Sequence, residues 1–174
     1  MKDIVWLFPI IFMIHEMEEI IGFRIWLNRN VALVKKYPLL EKIDKSFSYE
    51  GFSVAVLEQY LLCILITLLS IYYDNYLIWI GFFIAFVIHL AIHILQSIVI
   101  RKYIPALITS ITLLPISAMV LNRSINQTDY SNFQIVIVSV CCFIVMILNL
   151  IFMHYVMKQI TQKYVFKNTL RSKI

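Results

Sequence analysis

Residues 76–100 read YLIWIGFFIAFVIHLAIHILQSIVI, and this stretch decides the fold. It contains no Asp, Glu, Lys, Arg or Pro. At about 1.5 Å per residue, a helix of this length reaches beyond the roughly 30 Å hydrocarbon core of a bilayer. A backbone crossing that core must satisfy its own hydrogen bonds, which a helix does within one segment. The run is not uniformly apolar, however. His89, His93 and Gln96 fall at i, i+4 and i+7, so they form one stripe on the helix.

Working outward from this run, four further stretches have the same character. Their bounds are about 4–27, 52–73, 104–121 and 133–157. The chain is 61% hydrophobic, 14% charged and has a mean hydropathy of +0.85. A soluble domain of this size has too little interior to hide that much apolar surface. With only three Gly and four Pro, a barrel built from many tight turns is disfavoured. The expectation is an all-α integral membrane bundle of five transmembrane helices in a single domain, residues 1–174. Residues 28–51 read as an amphipathic cytoplasmic loop broken at Pro38, and 158–174 as a basic cytoplasmic tail. Cys63, Cys141 and Cys142 sit in apolar runs without metal or disulfide spacing and read as packing residues. Pro105 suits the first turn of the fourth helix. Trp6, Trp26 and Trp79 read as interfacial anchors.

The net charge of +5 does not indicate nucleic acid as a partner, because of where the charges lie. Thirteen of the fifteen basic residues fall in residues 24–45, at Arg101 and Lys102, or beyond residue 157. By the positive-inside rule these segments are cytoplasmic. Five spans then place the N-terminus outside and the C-terminus in the cytoplasm of a cell, most simply across a bacterial cytoplasmic membrane. Membrane lipids are the expected partners, and self-association into a homo-oligomer is open.

The first span holds a second polar stripe, His15-Glu16-Met17-Glu18-Glu19. An acidic residue at the centre of a spanning helix costs about 2.5–3.5 kcal/mol, so three glutamates cost about 8–10 kcal/mol. Flanking apolar residues return about 0.3–0.6 kcal/mol each. This helix therefore needs partners inside the bundle. At i+3 and i+4, Glu18 and Glu19 flank His15, while Glu16 projects about 100° away. Counted from the cytoplasmic helix ends, Glu18, Glu19, Glu58, His89 and His93 lie within one or two turns of a common depth, with His15 slightly deeper.

His and carboxylate ligands suit a divalent metal such as zinc, iron or manganese. The proposed ligands are His15, Glu18, His89 and His93. Glu19 and Glu58 are the catalytic candidates, with Glu19 a general base or further ligand. The same groups also suit proton transfer or ion-coupled transport, or polar glue between helices in a non-catalytic subunit. His154 reads as an interface residue and Asn149 as a cross-helix hydrogen bonder.

The motif His15-x-x-Glu18-Glu19, followed by His89-x-x-x-His93-x-x-Gln96 and Arg101-x-Tyr103-x-Pro105, resembles the HXXEE-domain family of small polytopic membrane proteins. The resemblance spans nearly the whole chain. One departure is Ala106, where the family often has Gly. The resemblance implies the architecture and the candidate residues but no reaction. The chemistry read from the residues favours a metal-dependent hydrolase acting on a lipidic or apolar substrate.

Overall fold

The computed structural model describes residues 1–171; Lys173, the last basic residue of the expected tail, lies outside them. The described residues form helices and no strands. A 3-10 turn, Ile4–Trp6, leads into α1 (Leu7–Arg29). Two short helices follow, α2 (Val31–Lys36) and α3 (Pro38–Ser46). Four long ones complete the chain: α4 (Tyr49–Tyr72), α5 (Leu77–Ile100), α6 (Leu107–Asn126) and α7 (Asn132–Arg171). Of these, α4, α5, α6 and residues 132–160 of α7 are long and apolar enough to cross a membrane. α1 is equally long but carries Glu16, Glu18 and Glu19.

Local chemistry explains the boundaries. Tyr37 is extended before Pro38, which occupies the first turn of α3, so the surface segment breaks there. Ser48 caps α4 by accepting from the Gly51 backbone N–H. Ser131 and Gln134 cap α7 reciprocally, each side chain accepting from the other's backbone N–H. The turn from α5 to α6 departs from expectation. Pro105 lies before the helix, because Ala106 at the N-cap of α6 has φ 77° and α6 begins at Leu107.

α5 packs against α6 and α7, α4 against α7 and α1, and α1 against α6. The long helices thus close a ring in the order α1, α4, α7, α5, α6. Helix α4 approaches α7 closely at Gly51, and α5 approaches it at Gly81. A Cβ at Gly81 would lie 2.8 Å from Cys142 Sγ and 3.0 Å from Val138 Cγ1. Ser110, Ser117 and Ser124 repeat every seven residues on α6 and are fully buried, a stripe of small side chains that permits close packing.

Helices α1 and α5 face each other across the ring, and large side chains fill the space between them. Phe8 and Phe12 of α1 meet Trp79, Phe83 and Phe86 of α5 with ring centroids 5.3–6.0 Å apart. Trp79 is fully buried and donates to the Val5 carbonyl, so it is a core residue and not an interfacial anchor. Trp26 is also buried, donating to the Tyr103 carbonyl at 2.6 Å. Its burial removes it as an anchor for the same reason.

Cross-links sort the helix termini into two ends. At one end Trp26 meets Tyr103, Lys102 meets Asn30, Arg24 pairs with Asp44 at 2.7 Å, and Gly51 abuts Met157. At the other, Tyr130 accepts from the Tyr76 backbone N–H, and Met1 and Asp3 border a cavity with Arg123 and Gln127. Consecutive long helices therefore alternate in direction.

Candidate metal centre

The aromatic stripes on α1 and α5 continue directly into the polar residues. One step along from Phe12 comes His15, whose ring stands edge-on to Phe86. One turn on from Phe86 come His89 and then His93. The three imidazoles form a triangle with centroid separations of 5.3 Å (His15–His89), 5.2 Å (His15–His93) and 4.4 Å (His89–His93). Glu19 completes the group, its Oε1 lying 3.0 Å from His93 Nε2. One ligand atom from each of His15, Glu19, His89 and His93 lies within 4.8 Å of every other.

The structure divides the motif on α1 in a way that follows from helix geometry. Relative to His15, Glu19 lies about 40° to one side, Glu18 about 60° to the other, and Glu16 about 100° round. The ring interior receives His15 and Glu19. Glu18 falls on the side of α6, where it leaves the group. Its Oε2 accepts from the Thr109 backbone N–H and hydroxyl, both at 2.7 Å, and its Oε1 accepts from the Tyr103 hydroxyl at 2.7 Å and the Ile108 N–H at 3.3 Å. A carboxylate there satisfies the free N–H groups of the first turn of α6. Glu16 is buried on the opposite side of the helix from Glu18. Glu58 is also outside the group; it accepts from Asn149 Nδ2 at 3.3 Å, joining α4 to α7.

Thr109 gives Glu18 an indirect hold on the centre. Its hydroxyl proton is committed to Glu18, so the Thr109 oxygen accepts from His15 Nδ1 at 3.0 Å. That fixes His15 in the tautomer with a lone pair on Nε2. His15 is fully buried, and its Nε2 has no hydrogen-bond partner among the described residues. A buried imidazole nitrogen, oriented by a carboxylate through its other nitrogen, is the arrangement of metal-ligating histidines. His89 Nε2 and His93 Nε2 stand 3.0 Å apart. With the Glu19 carboxylate also at 3.0 Å, His93 Nε2 faces two groups, and the one proton it can carry serves only one of them. Three nitrogens and a carboxylate thus converge with too few protons to satisfy them, which a cation would resolve.

The turn beside the site is shaped against local preference. Arg101 at the C-cap of α5 and Ala106 at the N-cap of α6 both have positive φ, 54° and 77°. Side chains rarely adopt this region, and such backbone clusters at functional sites. The turn delivers Tyr103 and Thr109 to Glu18. Burial, followed by the hydrogen bond to Glu18, pushes the Tyr103 phenol up to about 12, so it remains a donor at neutral pH. Sequence reading misses Thr109: its partners lie more than 90 positions away, and a lone Thr in an apolar helix carries no signal.

Comparison with curated proteins and with solved structures finds no match. Residues 6–120, well over half of the chain, match a family model described as a protein of unknown function with HXXEE motif. The matched region holds His15, Glu18 and Glu19, together with His89, His93 and Thr109, and stops short of α7. On the strength of that match, and with the three residues that define the motif divided between the centre and its support, the chain belongs to the HXXEE family.

Proposed function

We propose that this protein is a membrane-embedded metalloenzyme of hydrolase type acting on a lipidic substrate. His15, His89 and His93 hold one divalent ion, zinc being the simplest fit, and Glu19 is the general base. The observation that carries this reading is His15: its buried Nε2 has no partner among the described residues, and one of its ring nitrogens lies within 4.8 Å of ligand atoms of His89, His93 and Glu19. Three imidazoles leave a coordination position open, as catalytic zinc sites do. Held there, a divalent ion would supply Lewis-acid chemistry and would lower the pKa of a water in the site. Glu19, within hydrogen-bond reach of His93, is positioned to take the proton of that water. Glu18 and Thr109 orient His15 and touch no reacting atom.

In this reading α1 is a fifth span, with the N-terminus outside and the C-terminus cytoplasmic. Support comes from its outer face. Leu7, Ile10, Ile14, Met17, Ile21 and Ile25 are exposed and recur at three or four residues, a continuous apolar stripe. The polar residues His15 and Glu19 face inward, so the helix presents hydrocarbon to lipid despite its charges. The basic residues of the loops gather at the end where Arg24 meets Asp44.

The test is elemental analysis of the detergent-purified protein. About one equivalent of zinc, iron or manganese per chain is expected. The double variant His89→Ala/His93→Ala should lose it, while Glu19→Gln should retain it. No bound metal in the wild type, even after reconstitution, overturns the proposal. Loss of metal in Glu19→Gln makes Glu19 a ligand and removes it as the base.

A further inference from the structure

A cavity of about 840 Å³ lies between α3 and the inner part of α7, away from the three histidines. Lys42 and Lys45 contribute from α3 and Lys158 from α7, while Ile43 and Ile151 supply apolar wall. The volume is that of a small-molecule site. Among the described residues its lining carries three lysines and one carboxylate, Glu41, which binds Lys45 at 2.6 Å and is held below its usual range by that contact. Ile151 is 62% exposed and Tyr155, also in the lining, 61%. The cavity therefore opens along the lipid-facing side of α7.

A pocket with cations at the membrane surface and an apolar wall running into the hydrocarbon matches one kind of molecule, an amphiphile with an anionic head. We infer that the cavity binds an anionic phospholipid of the surrounding bilayer. Its phosphate lies among Lys42, Lys45 and Lys158, and its acyl chains lie against Ile43 and Ile151. A lysine near an anionic surface contributes through charge alone, whereas the wall selects for the chain. His154 of α7 also lines the cavity, and α7 packs against α5, the helix that carries His89 and His93. The inference thus supplies a substrate class for the function proposed above and in that respect rests on it. The binding itself rests only on the membrane placement. The α7 half of the cavity lies outside residues 6–120, so it is a feature of this chain beyond the matched family region.

The experiment is native mass spectrometry of the full detergent-purified chain titrated with phosphatidylglycerol and, separately, with phosphatidylcholine of identical acyl chains. Phosphatidylglycerol is expected to bind more tightly, and Lys42→Gln/Lys158→Gln to weaken it about tenfold or more while leaving phosphatidylcholine unchanged. Metal content is measured on the same samples and should not change in this variant, which also shows that the variant is folded. Equal binding of the two lipids, or phosphatidylglycerol binding that survives the double substitution, overturns the inference. Displacement of the lipid by inorganic phosphate at matched concentration also overturns it, assigning the site to free phosphate. Because the lipid preference is read without reference to the metal, a wild type that binds phosphatidylglycerol but no metal would sink the metalloenzyme reading and leave the lipid site standing.

Discussion

At the scale of single residues, the centre depends on a bridge of one hydroxyl. Thr109 donates to Glu18 and accepts from His15, so three helical positions on two helices share one proton arrangement. Thr109→Val keeps the volume but removes the oxygen, leaving His15 free to adopt the other tautomer. Metal affinity should fall about 10–100-fold, the usual effect of losing an orienting partner, with little change in helix content. Thr109→Ser should restore most of it. A titration of the metal-free protein with zinc reads both, and an unchanged affinity in Thr109→Val would remove the bridge from the site's support. The shared stripe of His89 and His93 is legible in the sequence from helical spacing, and His15 only as a residue of similar depth. The division between Glu18 and Glu19 is not. Spacing places them on either side of His15, and only the position of α6 decides which one faces the interior.

Helix spacing and turn residues carry most of the information at the scale of elements. Four helices long and apolar enough to cross a membrane stand where the sequence has long apolar runs, since such runs leave little choice of element. The break at Pro38 is equally readable. The start of α6 is not: a proline usually opens a helix, but here Ala106 in the left-handed region postpones it. Close helix approaches are also hidden, because a glycine in an apolar run signals a contact without naming the partner. Gly81 meets α7 along backbone as well as side chain, since a methyl group added there would lie 3.3 Å from the Val138 carbonyl carbon. The Gly81→Ala change therefore cannot be absorbed by one rotamer shift. It should destabilise the α5–α7 contact by about 1–3 kcal/mol, the range for overpacking. Thermal denaturation in detergent measures this, and a midpoint equal to wild type would mean that the two helices separate without cost.

For the whole molecule, the ring order α1, α4, α7, α5, α6 is what turns scattered polar residues into one centre. Residue counting yields depth along each helix but no neighbour relations. Depth alone groups Glu58 with the histidines, whereas the ring turns it toward Asn149 on α7. The same ring explains how a helix with three glutamates can sit among apolar ones. Its charges turn inward or onto α6, and its exposed stripe from Leu7 to Ile25 is apolar. A helix built this way should cross the bilayer, which places Lys2 and Gln127 on one side and Lys36 on the other. With Cys63, Cys141 and Cys142 replaced by Ser, a membrane-impermeant maleimide on intact cells should label Lys2→Cys and Gln127→Cys. Lys36→Cys should react only after permeabilisation. Labelling of Gln127→Cys but not Lys2→Cys would mean that α1 does not cross. The His15–His89–His93 triangle, which requires α1 to run the full depth of the ring beside α6, would then have to form in a different arrangement from the one observed.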